Sequence, residues 1–195
     1  MRPVKTGTGR LFSAAAFFAA MHLHLAASIA APVGVIATAS QRWEGPAGEL
    51  LLAHLSAAAL AQLAGWVCVF CAWRAYCQGR GDALRWAVRL LKLYTIPFYL
   101  INFAWSVLCW AMLVGASRGI LILFVPIPVL FSCLLVVQSG CVAYCCLRWA
   151  AERPGGRPVL GGVWRLLLFV PVLDLFGAVL LLRQTVGPAA PEKPA

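Results

Sequence analysis

The sequence has little charge, and least of all negative charge. Only 11% of its 195 residues are charged, and Asp and Glu together number 6. An ordinary soluble domain is about 25% charged. A chain that is 63% hydrophobic also lacks the polar surface that would cover a soluble core of this size. The composition therefore excludes an ordinary soluble globular protein and favours one whose solvent is lipid.

Recognisable catalytic motifs are missing as well. The sequence contains no phosphate-binding loop, no HExxH, no GxSxG and no glycine-rich nucleotide fingerprint. It also has no array of paired acids inside its apolar runs, which many proton-coupled transporters carry. The sequence therefore predicts no cofactor and favours a protein that is not an enzyme.

Basic residues are in excess, with 16 Lys and Arg and a net charge of +10. A charge of this size can indicate a nucleic-acid partner. Here, however, the basic residues lie between apolar runs and do not gather on one polar domain. They predict contact with a lipid bilayer, and no nucleic acid is expected as a partner.

Long apolar runs dominate the chain. They cover Leu11–Ala39, Leu51–Trp73, Tyr94–Gly115, Gly119–Leu147 and Leu166–Leu182. A membrane-spanning helix needs about 20 apolar residues, whereas a barrel strand alternates over about ten. The runs predict an all-α, polytopic transmembrane helical bundle of five spans over residues 11–182, between a basic N-terminus (1–10) and a disordered tail (183–195).

Two of these runs have alternative interpretations. The last run holds only 17 residues, so four spans plus a re-entrant or interfacial helix is the alternative to five. In the fourth run, Pro126 and Pro128 favour a helix that begins near Pro128, because proline is tolerated in a first turn. A kinked helix that starts at Gly119 is the competing interpretation.

The distribution of basic residues predicts an orientation. Twelve of the 16 lie in the N-terminus or in the connectors that follow the second and fourth runs. The positive-inside rule then places the N-terminus in the cytoplasm, and five spans place the C-terminus outside. Abundant Ala and Arg suggest a bacterial cytoplasmic membrane. A basic start and the triplet Ala37-Thr38-Ala39 leave a cleaved signal peptide open, although the first run is about twice the length of a signal's apolar core.

The connector at residues 82–93 predicts an amphipathic helix on the cytoplasmic side. Arg85, Arg89 and Lys92 recur at i, i+4 and i+7 and therefore share one helix face. Such a helix would rest on the inner leaflet and contact anionic lipid headgroups. A plain basic connector is the alternative.

Asp174 is the only acid inside an apolar run. An unpaired carboxylate in the membrane is costly, so Asp174 should face the bundle, be protonated or have a polar partner. It is interpreted as a proton or cation site, as a buried hydrogen bond that fixes packing, or as the cap of a re-entrant helix. Other polar candidates inside the runs are His22, His24, His54, Asn102 and Gln138.

Six cysteines lie near the predicted cytoplasmic ends of runs two and four, namely Cys68, Cys71, Cys77, Cys141, Cys145 and Cys146. Cys68 and Cys71 share a helix face, as do Cys141 and Cys145. If the two helices pack together, these four thiols are candidate metal ligands. Cysteine is also a small apolar residue that suits helix contacts, and this interpretation predicts no metal.

Three stretches resemble small multi-pass bacterial membrane proteins of uncharacterised families. They are Ile96–Phe103 (IPFYLINF), Val125–Gly140 (VPIPVLFSCLLVVQSG) and Phe169–Leu182 (FVPVLDLFGAVLLL). The resemblance implies no activity. It implies that some polar and proline positions are family features, and these are Pro97, Asn102, Pro126, Ser139, Pro171 and Asp174.

The sequence leaves three hypotheses about function. The first is a non-enzymatic membrane component that works through helix contacts with lipid, with a partner membrane protein or with a second copy of itself. The second is a small transporter or channel subunit with Asp174 in its polar pathway. The third is a membrane enzyme or thiol-metal protein that uses the cysteines near the inner leaflet. The scarcity of charge inside the runs favours the first hypothesis.

Overall fold

The computed structural model describes residues 11–39, 47–94, 96–117, 126–152, 168–169 and 173–185. All regular structure within these residues is helical, which confirms the predicted all-α class. The elements are α1 (Phe12–Ala39), α2 (Ala47–Cys77), α3 (Gly81–Val88), a π-helical turn (Arg89–Leu93), α4 (Ile96–Ser117), α5 (Pro126–Ala151) and α6 (Leu173–Thr185).

Within the described residues, three helical stretches are long and apolar enough to cross a membrane. They are Phe12–Ala30 in α1, Leu52–Cys77 in α2 and Leu130–Ala151 in α5. Spans of 19, 26 and 22 residues meet the length that a hydrocarbon core of about 30 Å requires. The structure thus shows three candidate spans, and the predicted number of five is not supported by it.

Two helices begin at a proline or next to one. Pro97 is the second residue of α4, and Pro126 is the first residue of α5. Both prolines fit because a first-turn N–H has no partner inside the helix, so its absence costs little. The helix α5 thus begins two residues before the predicted Pro128. The kink predicted from Gly119 falls on residues 118–125, which lie outside the described part of the chain.

The centre of the bundle is formed by α2, which packs against α1 on one side and α5 on the other. Ala14, Phe17 and Met21 of α1 are fully buried at a spacing of three and four residues, as one helix face requires. Small residues on α2, including Ala61 and Gly65, allow both neighbours to approach closely.

The connector helix α3 does not lie apart from the bundle. Its Gly81 rests on the indole of Trp149, where an added Cβ would overlap the ring. Eleven residues further on, Lys92 reaches Ser139, ten residues before Trp149 on α5. The α3 helix and the π turn therefore run antiparallel to the last three turns of α5 for about 15 Å. Ala83, Leu84, Ala87 and Val88 of α3 are buried in the bundle. The predicted contact of this connector with the inner leaflet stays a prediction.

The last described helix, α6, is shorter than the predicted run at 166–182. It has 13 residues and is about 20 Å long, less than the hydrocarbon core. It packs against the π turn, α3 and α5. Before it, Leu168 and Phe169 contact α5 at Gly140, where a Cβ would lie only 2.6 Å from the Leu168 carbonyl oxygen. Glycine is therefore needed at position 140.

Candidate functional site

A histidine cluster joins α1 and α2. The rings of His24 and His54 stack with their centroids 5.2 Å apart. The Ser28 hydroxyl donates to the His24 carbonyl at 2.7 Å, which leaves Ser28 Oγ as acceptor for His54 Nδ1 at 3.4 Å. His24 is 3% exposed, and its Nδ1 has no hydrogen-bond partner among the described residues. We call His24, Ser28 and His54 the histidine cluster.

Helix α4 is attached to the bundle by polar contacts on one side. Trp105 Nε1 donates to the Ser28 carbonyl at 2.8 Å. Asn102 Nδ2 donates to Ser132 Oγ of α5 at 2.7 Å. The predicted candidate Asn102 thus makes an interhelical hydrogen bond, a type of contact that stabilises helix packing in membranes.

The predicted candidate His22 lies apart from the histidine cluster. Its Nδ1 donates to the Phe18 carbonyl one turn earlier, at 2.8 Å. Its ring lies 4.2 Å from that of Phe18 and 5.9 Å from that of Phe98 in α4. His22 therefore packs among aromatic rings. It does not share a face with His24, as expected for two residues spaced two apart on a helix.

The seam between α2 and α5 holds two glutamines. Gln138 Nε2 donates to the side-chain oxygen of Gln62 at 2.9 Å and to the Gln62 carbonyl at 3.1 Å. Gln62 Nε2 donates to the Phe131 carbonyl at 3.2 Å. The amide of Gln138 fills the space above Gly65, where any Cβ would overlap it. A glycine and a glutamine on opposite helices therefore fix the register of this seam.

A lysine cluster lies where the π turn meets α5. The Lys92 side chain is only 2% exposed. Its ammonium donates to Ser139 Oγ at 2.9 Å and to the Leu168 carbonyl at 3.4 Å. Ser139 in turn donates to the Val136 carbonyl at 3.0 Å. We call Lys92, Ser139 and the Leu168 carbonyl the lysine cluster.

The burial of Lys92 corrects one prediction. The sequence placed Arg85, Arg89 and Lys92 on one headgroup-facing side, which assumes α-helical periodicity throughout. The backbone instead forms a π turn, in which Tyr94 N–H bonds to the Arg89 carbonyl five residues back. A π turn rotates the chain through a smaller angle per residue than an α-helix does. It therefore rotates Lys92 away from the exposed face and into the bundle.

The two arginines stay near the surface. Arg89 is exposed. Arg85 pairs with Asp82 one turn earlier, and its guanidinium carbon lies 5.6 Å from the centre of the Trp149 ring. This cation–π contact and the contact of Gly81 with the same ring hold α3 on α5. Whether Arg85 and Arg89 also contact lipid headgroups stays a prediction.

The C-terminal ends of α2 and α5 are held together by one surface cluster. The Tyr76 hydroxyl contacts both carboxylate oxygens of Glu152, at 2.7 and 2.8 Å. Arg148 pairs with the same carboxylate at 2.7 Å. The hydrogen bond from Tyr76, together with the nearby arginine, lowers the pKa of Glu152.

The cysteines form no metal centre within the described residues, because no group of three or more His, Cys, Asp or Glu is placed to hold an ion there. Cys68 and Cys146 are fully buried in the core, while Cys77 is exposed. Cys71 and Cys141 are partly exposed, and Cys145 is buried. The hypothesis that Cys68, Cys71, Cys141 and Cys145 hold a metal stays a prediction.

Asp174 is the second residue of α6, which begins at Leu173. Its backbone therefore lies in the first turn of a helix of 13 residues. The placement fits the alternative in which the last run does not span. The interpretation of Asp174 as a proton or cation site stays a prediction.

Several polar residues of the site were not singled out from the sequence. Ser28, Gln62 and Ser132 each complete an interhelical contact with a predicted candidate. The signal that identifies them is a lone polar residue inside an apolar run. A lone serine is weak evidence of an interhelical contact, because its hydroxyl can also bond to a carbonyl of its own helix.

The arrangement defines a class of protein, a helical bundle whose described residues form a largely apolar core with four buried polar side chains and leave many large apolar side chains exposed. A family model matches residues 13–186, and the chain belongs to that family, a family of unknown function described as DUF6652. No curated protein and no solved structure matches the chain. Membership in an uncharacterised family agrees with the resemblance seen in the sequence.

Proposed function

We propose that this protein is a non-enzymatic, multi-pass component of the bacterial cytoplasmic membrane that acts through helix and lipid contacts. The distribution of polarity carries the proposal. Glutamine, lysine and histidine side chains are buried, whereas Phe12, Leu63 and Phe103 are at least 64% exposed. Large apolar side chains exposed in this number are unfavourable in water, and lipid is the solvent that suits them.

Four spans, with both ends of the chain in the cytoplasm, are the topology that we propose. Helix α4 supplies the fourth span, since its 22 residues reach about 33 Å. Helix α6 is too short to cross. Its C-terminal end, at Val179, Leu182 and Arg183, lines one cavity with Arg89 and Leu93 of the basic connector. The basic connector is cytoplasmic by the positive-inside rule, and α6 therefore ends on the same side.

Reporter fusions test this topology. Green fluorescent protein fused after residue 195 should fluoresce, because it matures only in the cytoplasm, and alkaline phosphatase at the same point should be inactive. A fusion between α1 and α2 should behave in the opposite way and serves as the internal control. Active phosphatase after residue 195 would indicate five spans in place of four. Extraction of the protein by alkaline carbonate would refute membrane integration altogether.

The buried Lys92 favours a second candidate function, a small transporter or channel subunit. A charge inside a membrane bundle marks a substrate or ion pathway more often than it serves packing alone. Among the six acids, Asp174 is the one within an apolar run. It begins a helix that packs on the π turn carrying Lys92. In this candidate function, Asp174 is the counter-charge of Lys92 and the pair lies on the polar pathway.

Proton flux separates the two candidates. The protein is reconstituted into liposomes that contain a pH-sensitive dye, and a proton gradient is imposed. Transport through the pair predicts flux that is lost in Asp174→Asn and in Lys92→Gln. The variant Glu152→Gln, which removes a carboxylate far from the pair, should keep it. Absence of flux through the unmodified protein would reject proton conduction and leave the first function.

A further inference from the structure

We propose that the groove between α2 and α5 binds one acyl chain of an anionic phospholipid, with its headgroup held by Arg74 and Arg148. This site is distinct from the connector that the sequence suggested for headgroup contact. The inference rests on the proposed membrane location and specifies one ligand within it.

The groove is apolar and aromatic. Trp66, Phe70 and Trp73 line it on α2, Cys141 and Tyr144 line it on α5, and Phe169 lies between the two helices. The three α2 aromatics are 52–61% exposed. The cavity volume is about 430 Å³, within the range of about 300–1,000 Å³ typical of small-ligand sites.

The groove is elongated along the helix axis. Trp66 and Trp73 line it and stand about 10 Å apart along α2. An extended hydrocarbon chain has this elongated, apolar form.

Among the described residues, charged side chains lie at only one end of the groove. Arg74 stands four residues after Phe70, and Arg148 four residues after Tyr144, so each arginine continues the groove-lining face of its helix. Both helices end on the same side, as the contact between Tyr76 and Glu152 shows. The groove therefore runs from an apolar interior to a pair of exposed arginines.

The two arginines differ in their ion pairing. Arg148 pairs with Glu152, whereas Arg74 forms no ion pair with any residue that the structure describes. Arg74 is thus the stronger candidate for a phosphate contact. This end of the groove is also the side predicted to face the cytoplasm, and anionic lipids are attracted there to basic residues near the membrane surface.

Cysteine alkylation tests occupancy of the groove without any mutation. The protein is placed in nanodiscs of phosphatidylcholine, with or without phosphatidylglycerol. Alkylation at each cysteine is then followed by peptide mass spectrometry. Phosphatidylglycerol should slow the reaction of Cys141, which lines the groove. It should leave Cys133 unchanged, because Cys133 is exposed on the same helix outside the groove. Equal protection of Cys141 in both lipids would overturn the proposal.

Substitution of the arginines tests the headgroup contact. Arg74→Gln/Arg148→Gln should weaken retention of phosphatidylglycerol in native mass spectrometry by about fivefold per arginine. The control Arg80→Gln, set against the single variant Arg74→Gln, removes one positive charge away from the groove and should leave retention nearly unchanged. Equal loss in these two single variants would indicate general charge attraction and contradict a site. A crosslink from Phe70 to another protein chain would identify a protein occupant and also reject the lipid.

Failure of this proposal can be told from failure of the proposed function. If the variants resist carbonate extraction and phosphatidylglycerol protects nothing, only the lipid site is wrong. If the unmodified protein is extracted, the membrane location itself fails.

Discussion

The histidine cluster and the lysine cluster bury polar groups in opposite ways. The histidine cluster stacks two imidazole rings and leaves His24 Nδ1 unpartnered within the described residues. The lysine cluster holds an ammonium that donates to a hydroxyl and to a carbonyl. A neutral orphan costs a bundle a modest amount, whereas a buried charge without partners costs several kcal/mol. We therefore infer that losing a partner costs the bundle more stability in the lysine cluster than in the histidine cluster.

The largest expected effect comes from Lys92→Met. This change keeps the length of the side chain but leaves the Ser139 hydroxyl and the Leu168 carbonyl without their donor. Hydrogen bonds to charged groups contribute about 1.5–3 kcal/mol each, so the variant should lose about 3 kcal/mol or more. Unfolding in mixed micelles with increasing dodecyl sulfate measures the loss. A change below about 1 kcal/mol would mean that the two clusters do not differ as described.

Gly65→Ala should have the next largest effect, because its new Cβ overlaps the Gln138 amide between the two clusters. Overpacking of this kind costs about 1–3 kcal/mol. The second change Gln138→Ser shortens the overlapping side chain and should recover part of that loss. A double-mutant cycle in the same unfolding assay measures the coupling. Purely additive losses would show that the glycine serves another purpose.

His24→Phe should have little effect or increase stability. The substitution keeps a planar ring against Phe131, whose centroid lies 6.4 Å from that of His24. It also removes a buried nitrogen that has no partner in the described structure, and such replacements are nearly neutral or stabilising. If this variant loses as much stability as Lys92→Met, the histidine cluster has a polar role that packing does not explain.

The smallest effect belongs to the surface cluster at Glu152. Its lowered pKa means that the folded protein holds the carboxylate in its charged form more readily than the unfolded chain does. The resulting stability is present above the ordinary pKa of about 4.5 and is lost as the pH falls through the lower folded value. Glu152→Gln should remove this acid-side dependence, measured as unfolding of both proteins over a pH series. An unchanged pH profile would assign the dependence to another carboxyl.

Apolar length was the most predictable feature of the chain. The run at 11–39 coincides with α1 almost residue for residue, because a continuous apolar stretch has one stable conformation in lipid. The ends were less predictable. Helix α2 extends to Cys77, four residues past Trp73, because Tyr76 contacts Glu152 across the bundle. A tertiary contact of this kind leaves no periodic signal in the sequence.

The site was predictable in its members but not in its pairings. The sequence singled out His24, His54 and Gln138, because each is polar inside an apolar run. It did not indicate that His24 stacks on His54 or that Gln138 lies over Gly65, since both pairings depend on how the helices dock. Lys92 was misplaced for a local reason, because a single π turn breaks the periodicity on which the prediction relied.

The length of α2 links the protein to bilayer thickness. Its apolar stretch, Leu52–Cys77, has 26 residues and reaches about 39 Å, some 9 Å more than a hydrocarbon core of about 30 Å. The surplus requires the helix to tilt, to extend into water or to thicken the surrounding lipid. Because α1 and α5 pack directly on α2, any tilt is shared by the whole bundle. The protein should therefore be most stable in thick membranes, and its partition between lipid phases of unequal thickness would report that preference.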